Sequence, residues 1–415
     1  MRIVTSISLA CGLVVALAGC QAGHGEYTTE ARDNAIDRLN ALKSGTSWEM
    51  GSTELRAGNV DRAYDHAVES LSLTPENPQG HLLLARVQIE RGEFDGAMSS
   101  LDRALELDPG LAEPHYYRGV VLERFGQPRA AVASFQRALE LDPTEVQYLL
   151  AAVEMMIEAG DLGGATDLLA EHEFRFRFSP AIRQTAGHIA MMRGDVEKAA
   201  AEFREASLLA PDDHAVLEDL ARARIKLGQY AEAERSLERL FIDYAPIGTD
   251  ASEAEAAAER ADLLHMHARC LIELDRPLDA RQILHELTRS PGGENDVEAW
   301  VHLGTVSIIL EDPRGLRRAA QRLIAIAPQR YEGYYLLALW QQANDGPRAA
   351  LAVLDKAVPR AEVVGNAQPA NLQAVLYAQL GESARAAEAA AAALRADPTD
   401  ARARALHDAL TTATN

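Results

Sequence analysis

Small and apolar positions recur along the chain at a fixed step. Alanine stands at Ala63, Ala97, Ala131, Ala165, Ala199 and Ala233, each 34 residues after the last. Glycine keeps the same step at Gly58, Gly92, Gly126, Gly160, Gly194 and Gly228. With 28 Gly in 415 residues, five further matches to one period arise by chance on the order of once in a million. A third series, Pro75, Pro109, Pro143 and Pro211, keeps the step with one omission. Each series has a local meaning. The glycine supplies the positive φ that ends a helix, the alanine permits a close helix crossing, and the proline stops the next helix. The pattern predicts helices throughout, with their ends fixed by the period.

A 34-residue period with these residues resembles the tetratricopeptide repeat, which implies a pair of antiparallel helices, A and B, in each repeat. Counting from Ser44, Pro78, Ala112, Val146, Pro180 and His214 as position 1, position 8 is small in five of six repeats, as a close crossing of helix A needs. Position 15 is the glycine and position 20 the alanine. At position 16, Asn59, Asp161 and Asp195 are candidate caps of helix B, and Pro128 follows at a first helical place, where a missing N–H costs nothing. Four weaker repeats resume from Ala261, Val297, Tyr331 and Ala367. The eighth holds Trp300, Leu303, Gly304 and Pro328; the tenth holds Tyr377, Gly381, Ala386, Ala393 and Pro398. Repeats seven and eight have Asp275 and Glu311 in place of the turn glycine, and the ninth is expected to end its helix B near Pro359. The fold expected from the resemblance is all-α: a right-handed superhelical solenoid of about ten helix pairs. Residues 44–247 hold repeats one to six, 248–260 an acidic helical insertion, 261–400 repeats seven to ten, and 401–415 a capping helix and tail.

The amino end has a different pattern. Arg2 precedes an apolar stretch from Ile3 to Ala18, followed by Leu17-Ala18-Gly19-Cys20. This resembles a bacterial lipoprotein signal peptide, which implies cleavage after residue 19 and a diacylglyceryl group on Cys20. A membrane-spanning helix wants about 20 apolar residues, and this stretch is shorter. Gln21 rather than Asp after the cysteine implies, within that family, an outer-membrane address facing the periplasm. Residues 20–43 are then a lipidated cysteine, a short tether and a leading helix.

Charge narrows the partners. The chain has 41 Lys and Arg against 62 Asp and Glu, a formal charge of -21, which repels a phosphate backbone, so nucleic acid is not an expected partner. An anionic bilayer is repelled too, so membrane attachment is expected from the lipid anchor alone. With Cys11 removed and Cys20 lipidated, Cys270 is the one thiol left and is expected in a helix A core.

Catalytic chemistry finds little support. His265, His267 and His285 lack metal-ligand spacing, and no phosphate loop or nucleophile elbow is present, so no enzyme activity, metal or cofactor is expected. Arg193-Gly194-Asp195 spells an integrin-type tripeptide, but its Gly and Asp fall at the periodic turn and cap positions. In the family, partners lie in a concave groove lined by helix A positions 2, 5, 9, 12 and 13. Here these include Arg56, Arg86, Tyr116 and Arg124, then Glu154, His188, Arg222 and Lys226. The plainer reading is an ordinary solvated face. The Lys and Asn of the chaperone-binding subgroup are replaced at positions 5 and 9 by Trp48 and Ser52, then by Leu82 and Arg86, so that carboxylate clamp is absent. Phe174-Arg-Phe-Arg-Phe178 alternates with period two and reads as a short extended segment, either pairing with a partner strand or, the favoured reading, packing its three Phe on the next repeat. The expected function is a membrane-anchored interaction scaffold that binds proteins or peptides, an acidic or extended peptide among them, and assists assembly of a pilus, secretion or cell-envelope complex. The alternative is a carrier for a peptide or glycan in the groove.

Overall fold

Each period folds into two helices because its glycine takes a left-handed backbone. The six turn glycines have φ between 66° and 79°, a region that costs other residues about 1–2 kcal/mol. The residue after each glycine bonds back across the turn, as Asn59 N–H does to the Glu54 carbonyl at 2.9 Å and Asp161 N–H to the Met156 carbonyl at 2.8 Å. The computed structural model describes residues 26–243, 253–290 and 293–412, and among them every regular element is helical.

Repeats one to five are α1 (Glu26–Arg56) with α2 (Val60–Leu73), α3 (Pro78–Glu90) with α4 (Phe94–Leu107), α5 (Ala112–Arg124) with α6 (Pro128–Leu141), α7 (Val146–Glu158) with α8 (Leu162–Phe176), and α9 (Pro180–Met192) with α10 (Val196–Leu209). Repeats six to ten are α11 (His214–Lys226) with α12 (Tyr230–Asp243), α13 (Glu253–Glu273) with α14 (Pro277–Arg289), α15 (Val297–Ile309) with α16 (Pro313–Ile326), α17 (Glu332–Asn344) with α18 (Pro347–Val363), and α19 (Gln368–Gln379) with α20 (Ser383–Ala396). Helix α21 (Ala401–Thr412) follows. Two compact units divide the chain at Ile189 and Ala190.

In the first unit, the crossing of helices A and B is closed by residues with almost no side chain. Ala63, Ala97, Ala131 and Ala165 are fully buried. A β-carbon on Gly51 would come within 2.8 Å of Leu83, and one on Gly119 within 2.5 Å of the Phe135 ring. Around these contacts run the apolar cores: Ala67, Leu83 and Val87; then Leu82, Leu101 and Val121; then Phe135, Ala152 and Met155. Helix A of each early repeat also touches the next helix A, α1 with α3 and α3 with α5. This row of A helices forms an inner wall across the first three repeats.

The second unit repeats the scheme. Ala199 and Ala233 are fully buried, and so is Cys270, whose thiol burial pushes up to about 11, as a packed core cysteine requires. Helices α11, α13, α15 and α17 form the corresponding row. Without glycine, Asp275 and Glu311 are forced to φ of 55° and 51°, so repeats seven and eight keep the turn at the cost of backbone strain.

Several expectations are corrected. The leading helix is not separate: α1 runs 31 residues without a break into the first repeat, and residues 29–43 are exposed apart from Asn40. The acidic insertion is likewise continuous with the seventh helix A, since α13 begins at Glu253; residues 248–252 lie outside the described residues. The Phe174–Phe178 segment is not extended. It continues α8 as helix to Phe176, and only Phe176 packs inward, while Phe174 and Phe178 are 82% and 71% exposed. Helical geometry turns successive residues about 100° apart, so alternating Phe cannot all face one neighbour; Arg177 instead lies over the two exposed rings at 5.0 and 4.6 Å. Asp161 and Asp195 cap their helices, but Asn59 donates to Glu54 at 2.7 Å and makes no cap. In repeat nine the left-handed residue is Gly346, and α18 continues through Pro359 to Val363.

Replacing Ala131 with Arg forces a long cation into a crossing with no space, and we expect a loss of about 3 kcal/mol or more. Glu140→Lys, on the exposed side of α6 where Glu140 pairs only with its neighbour Arg137, is expected to change stability by less than about 1 kcal/mol. Urea unfolding of both variants measures the difference; equal midpoints contradict the 34-residue register.

Candidate functional site

The inner wall of the first unit is interrupted by a cleft of about 720 Å³, lined by residues from four consecutive repeats. Helix geometry explains its first side. Trp48, Ser52 and Arg56 are four apart on α1 and share one face, as Leu82 and Arg86 do on α3. Trp48, Leu82 and Leu111 supply apolar surface, with Tyr148, only 5% exposed, from the start of α7.

The charges in the cleft are sorted. Arg56 bonds only to its own helix, to the Ser52 carbonyl and to Thr53 Oγ1, both at 3.4 Å. Arg86 lies over the Tyr117 ring at 5.3 Å. Among the described residues neither forms an ion pair, whereas Arg91 pairs with Asp61 at 2.6 Å and Arg183 with Glu173 at 3.1 Å in the same unit. Toward the third and fourth repeats the lining becomes acidic, with Glu113, Asp142 and Glu145. All three act on the Tyr148 phenol, which is pushed up first by burial and then by Glu113, Glu145 and Asp142 in that order. Hydrogen bonds from the Thr144 side chain and backbone hold the Asp142 carboxyl below its usual range. Ser52 Oγ is buried beside the cleft with no hydrogen-bond partner.

Of the residues expected to line a groove, Arg56 and Arg86 do line this cleft. Arg124 at the end of α5, Glu154 on α7 and His188 on α9 are exposed and do not. Partial desolvation first, and Glu123 second, raise the Glu154 carboxyl. Arg222 and Lys226 belong to the second unit. Arg222 is already engaged by Glu218 at 3.0 Å and by Asp262 on α13, so it is a cross-helix strut rather than a free cation, and Lys226 is exposed at the end of α11. Cys20 lies outside the described residues. Sequence reasoning missed Tyr148, Asp142 and Glu145, which sit at or before the start of a helix A. Gln79 and Glu113 occupy position 2 and were within reach of the positional rule.

The dispersed histidines have structural partners in the second unit. His265 Nε2 is 2.7 Å from Asp296 Oδ2, and His267 stacks on Phe241 at 5.4 Å. Burial is the first cause that lowers the pKa of both His267 and His302. Among the described residues no group of three His, Cys, Asp or Glu side chains is placed to hold a metal. Gly194 of the Arg-Gly-Asp tripeptide has φ of 79°, and Asp195 Oδ1 caps α10 through Lys198 N–H at 3.0 Å, so that tripeptide is used by the turn.

Tetratricopeptide repeat family models match residues 54–119 and 190–246, and a second such model matches 112–145. No curated protein matches the chain. Among solved structures it is similar to pilF of Pseudomonas aeruginosa, with 18% identity over 54% of this chain and 96% of that one and a TM-score of 0.42. YrrB, described as a TPR protein with an unusual peptide-binding site, shares 19% identity over 46% of this chain and 96% of its own, with a TM-score of 0.36. The C-terminal part of a TPR repeat-containing protein from Cytophaga hutchinsonii shares 16% identity over 70% and 99%, with a TM-score of 0.45.

Tyr116 requires a correction. Expected as a groove anchor, it instead joins two cores: its ring centroid lies 5.5 Å from Phe135, 5.2 Å from Tyr148 and 5.2 Å from Tyr117. Burial is the first cause raising its phenol pKa. Tyr116→Ala therefore removes a half-buried ring from between helices, and we expect a loss of about 2–3 kcal/mol in stability. Tyr116→Phe should stay within about 1 kcal/mol. Thermal unfolding separates the two, and a wild-type melting temperature for the alanine variant contradicts this packing role.

Proposed function

We propose that this chain, whose residues 54–145 and 190–246 carry tetratricopeptide repeats, is a lipid-anchored, non-catalytic binding protein of the bacterial envelope. Its cleft holds an extended segment of a partner protein. Tetratricopeptide repeats typically mediate protein–protein interaction, and the observation that carries the reading here is the cleft itself. Side chains from four repeats converge on apolar surface flanked by charges that form no ion pair among the described residues. Its volume of about 720 Å³ lies in the range of sites that hold small ligands, which suits a short segment rather than a folded domain. The finer role, helping to assemble a pilus, secretion or envelope complex at the periplasmic face of the outer membrane, rests on the Leu17–Cys20 motif together with the repeats.

Two experiments test this. A photo-crosslinking side chain placed at Gln79 should capture a partner in intact envelopes, and Arg56→Glu in the same protein should reduce capture about tenfold or more, equivalent to about 1.4 kcal/mol. Capture that is indifferent to Arg56→Glu and to Arg86→Glu contradicts the cleft as the binding site. For the anchor, mass spectrometry of the mature protein should find an acylated Cys20 at the amino terminus, and Cys20→Ser should abolish the modification. An unmodified chain starting elsewhere contradicts the anchor.

A further inference from the structure

We propose that the cleft takes a dipolar segment: an extended stretch of about eight residues with a carboxylate at one end, an apolar middle and a basic side chain at the other. The inference rests on the cleft being the binding site and adds the chemistry of what fills it. It also narrows the expectation of an acidic or extended peptide.

The lining drifts along the A helices from repeat to repeat. Arg56 is at the thirteenth position of its repeat, Arg86 at the ninth and Glu113 at the second, while Glu145 falls just before the first position of its own. The cleft therefore runs diagonally, from the carboxyl end of helix A in repeat one to the amino end of helix A in repeat four. Eleven positions of helix rise about 16 Å, and the two steps between neighbouring A helices add about 8–10 Å each sideways, so the diagonal from Arg56 to Glu113 is about 25 Å, which an extended chain of about eight residues spans. The two charge groups lie toward opposite ends of that diagonal, with Trp48, Leu82 and Leu111 as the apolar surface.

Helix dipoles account for where the charges sit, since Arg56 closes α1 and Glu113 opens α5. They do not account for the missing partners. At the acidic end three carboxylates converge on one buried phenol, that of Tyr148, and no cation of the described chain forms an ion pair with any of them within 4.0 Å. Like charges gathered with no ion pair among the described residues favour a cation. At the basic end Arg56 and Arg86 present planar guanidinium groups that match a carboxylate in two-point geometry. An all-acidic segment satisfies one end and is repelled at the other; so is an all-basic one. Only a dipolar segment satisfies both.

The test uses the soluble mature chain and three labelled octapeptides with blocked termini and the same apolar middle: acid–base, acid–acid and base–base. Fluorescence anisotropy should show the acid–base peptide binding at least about tenfold tighter than either of the others. Arg56→Glu with Arg86→Glu should switch the preference to the base–base peptide. Glu113→Lys with Glu145→Lys should switch it to the acid–acid peptide. Because each variant gains a ligand, an unfolded protein cannot imitate the result. If the acid–acid peptide binds wild type as tightly as the acid–base one, the dipolar inference is overturned and the cleft reading stands. If no peptide binds while the Gln79 crosslink still captures a partner, the inference is again overturned; if both fail, the cleft reading falls with it.

Discussion

Everything in this structure depends on how closely helix A can approach helix B within one repeat. At the crossing, side chains are reduced to a methyl group or to nothing: Ala63, Ala97, Ala131, Ala165, Ala199 and Ala233 have no accessible surface, and Gly119 leaves room for the ring of Phe135. Close packing of this kind admits little error, because a protein interior is as dense as an organic crystal. The crossing fixes the angle of each pair, and repetition of the pair aligns the A helices in a row. The cleft is a consequence of that row. The A helices supply much of its lining, and the turns between repeats that hold Leu111, Asp142 and Glu145 complete it.

The turns act on the same geometry from the other side. At the six periodic glycines the left-handed turn is unstrained and helix B starts two residues later. In repeats seven and eight Asp275 and Glu311 hold the same backbone shape, which shows that packing of the two helices, and not the turn residue, sets the conformation. Pro277 and Pro313 then begin helix B at a place that needs no N–H. The strained turns sit in the second unit, while the cleft lies in the first, where glycine makes each turn from helix A to helix B in repeats one to four.

Much of the fold was legible in the sequence because it is carried by residues whose backbone or volume has one use. Turn glycines, crossing alanines and the prolines that open or close helix B announce helix boundaries to within a residue or two. What was not legible was continuity. Nothing in a local pattern says that α1 passes unbroken from Glu26 into the first repeat, or that α18 tolerates Pro359. The FRFRF segment misled because a two-residue alternation is a strand signal only when no helix is already running through it. For the site, positional rules found Arg56 and Arg86 but also named Tyr116, whose ring the structure packs between helices, and Arg222, which Asp262 holds. Those rules know the face of one helix; they do not know which neighbours reach across. Tyr148, Asp142 and Glu145 escaped for the same reason, since they enter the cleft from the amino end of a later repeat.

The central claim is that a partner segment lies along the A helices of the first four repeats. Hydrogen exchange of the mature chain, measured with and without the partner captured through the cleft, tests it most directly. The account predicts slowed exchange in segments containing Trp48–Arg56, Gln79–Arg86, Leu111–Tyr117 and Asp142–Tyr148, with little change in the B helices between them. Protection confined to the exposed Phe174 and Phe178 rings' segment, or to residues 29–43 of α1, would contradict it.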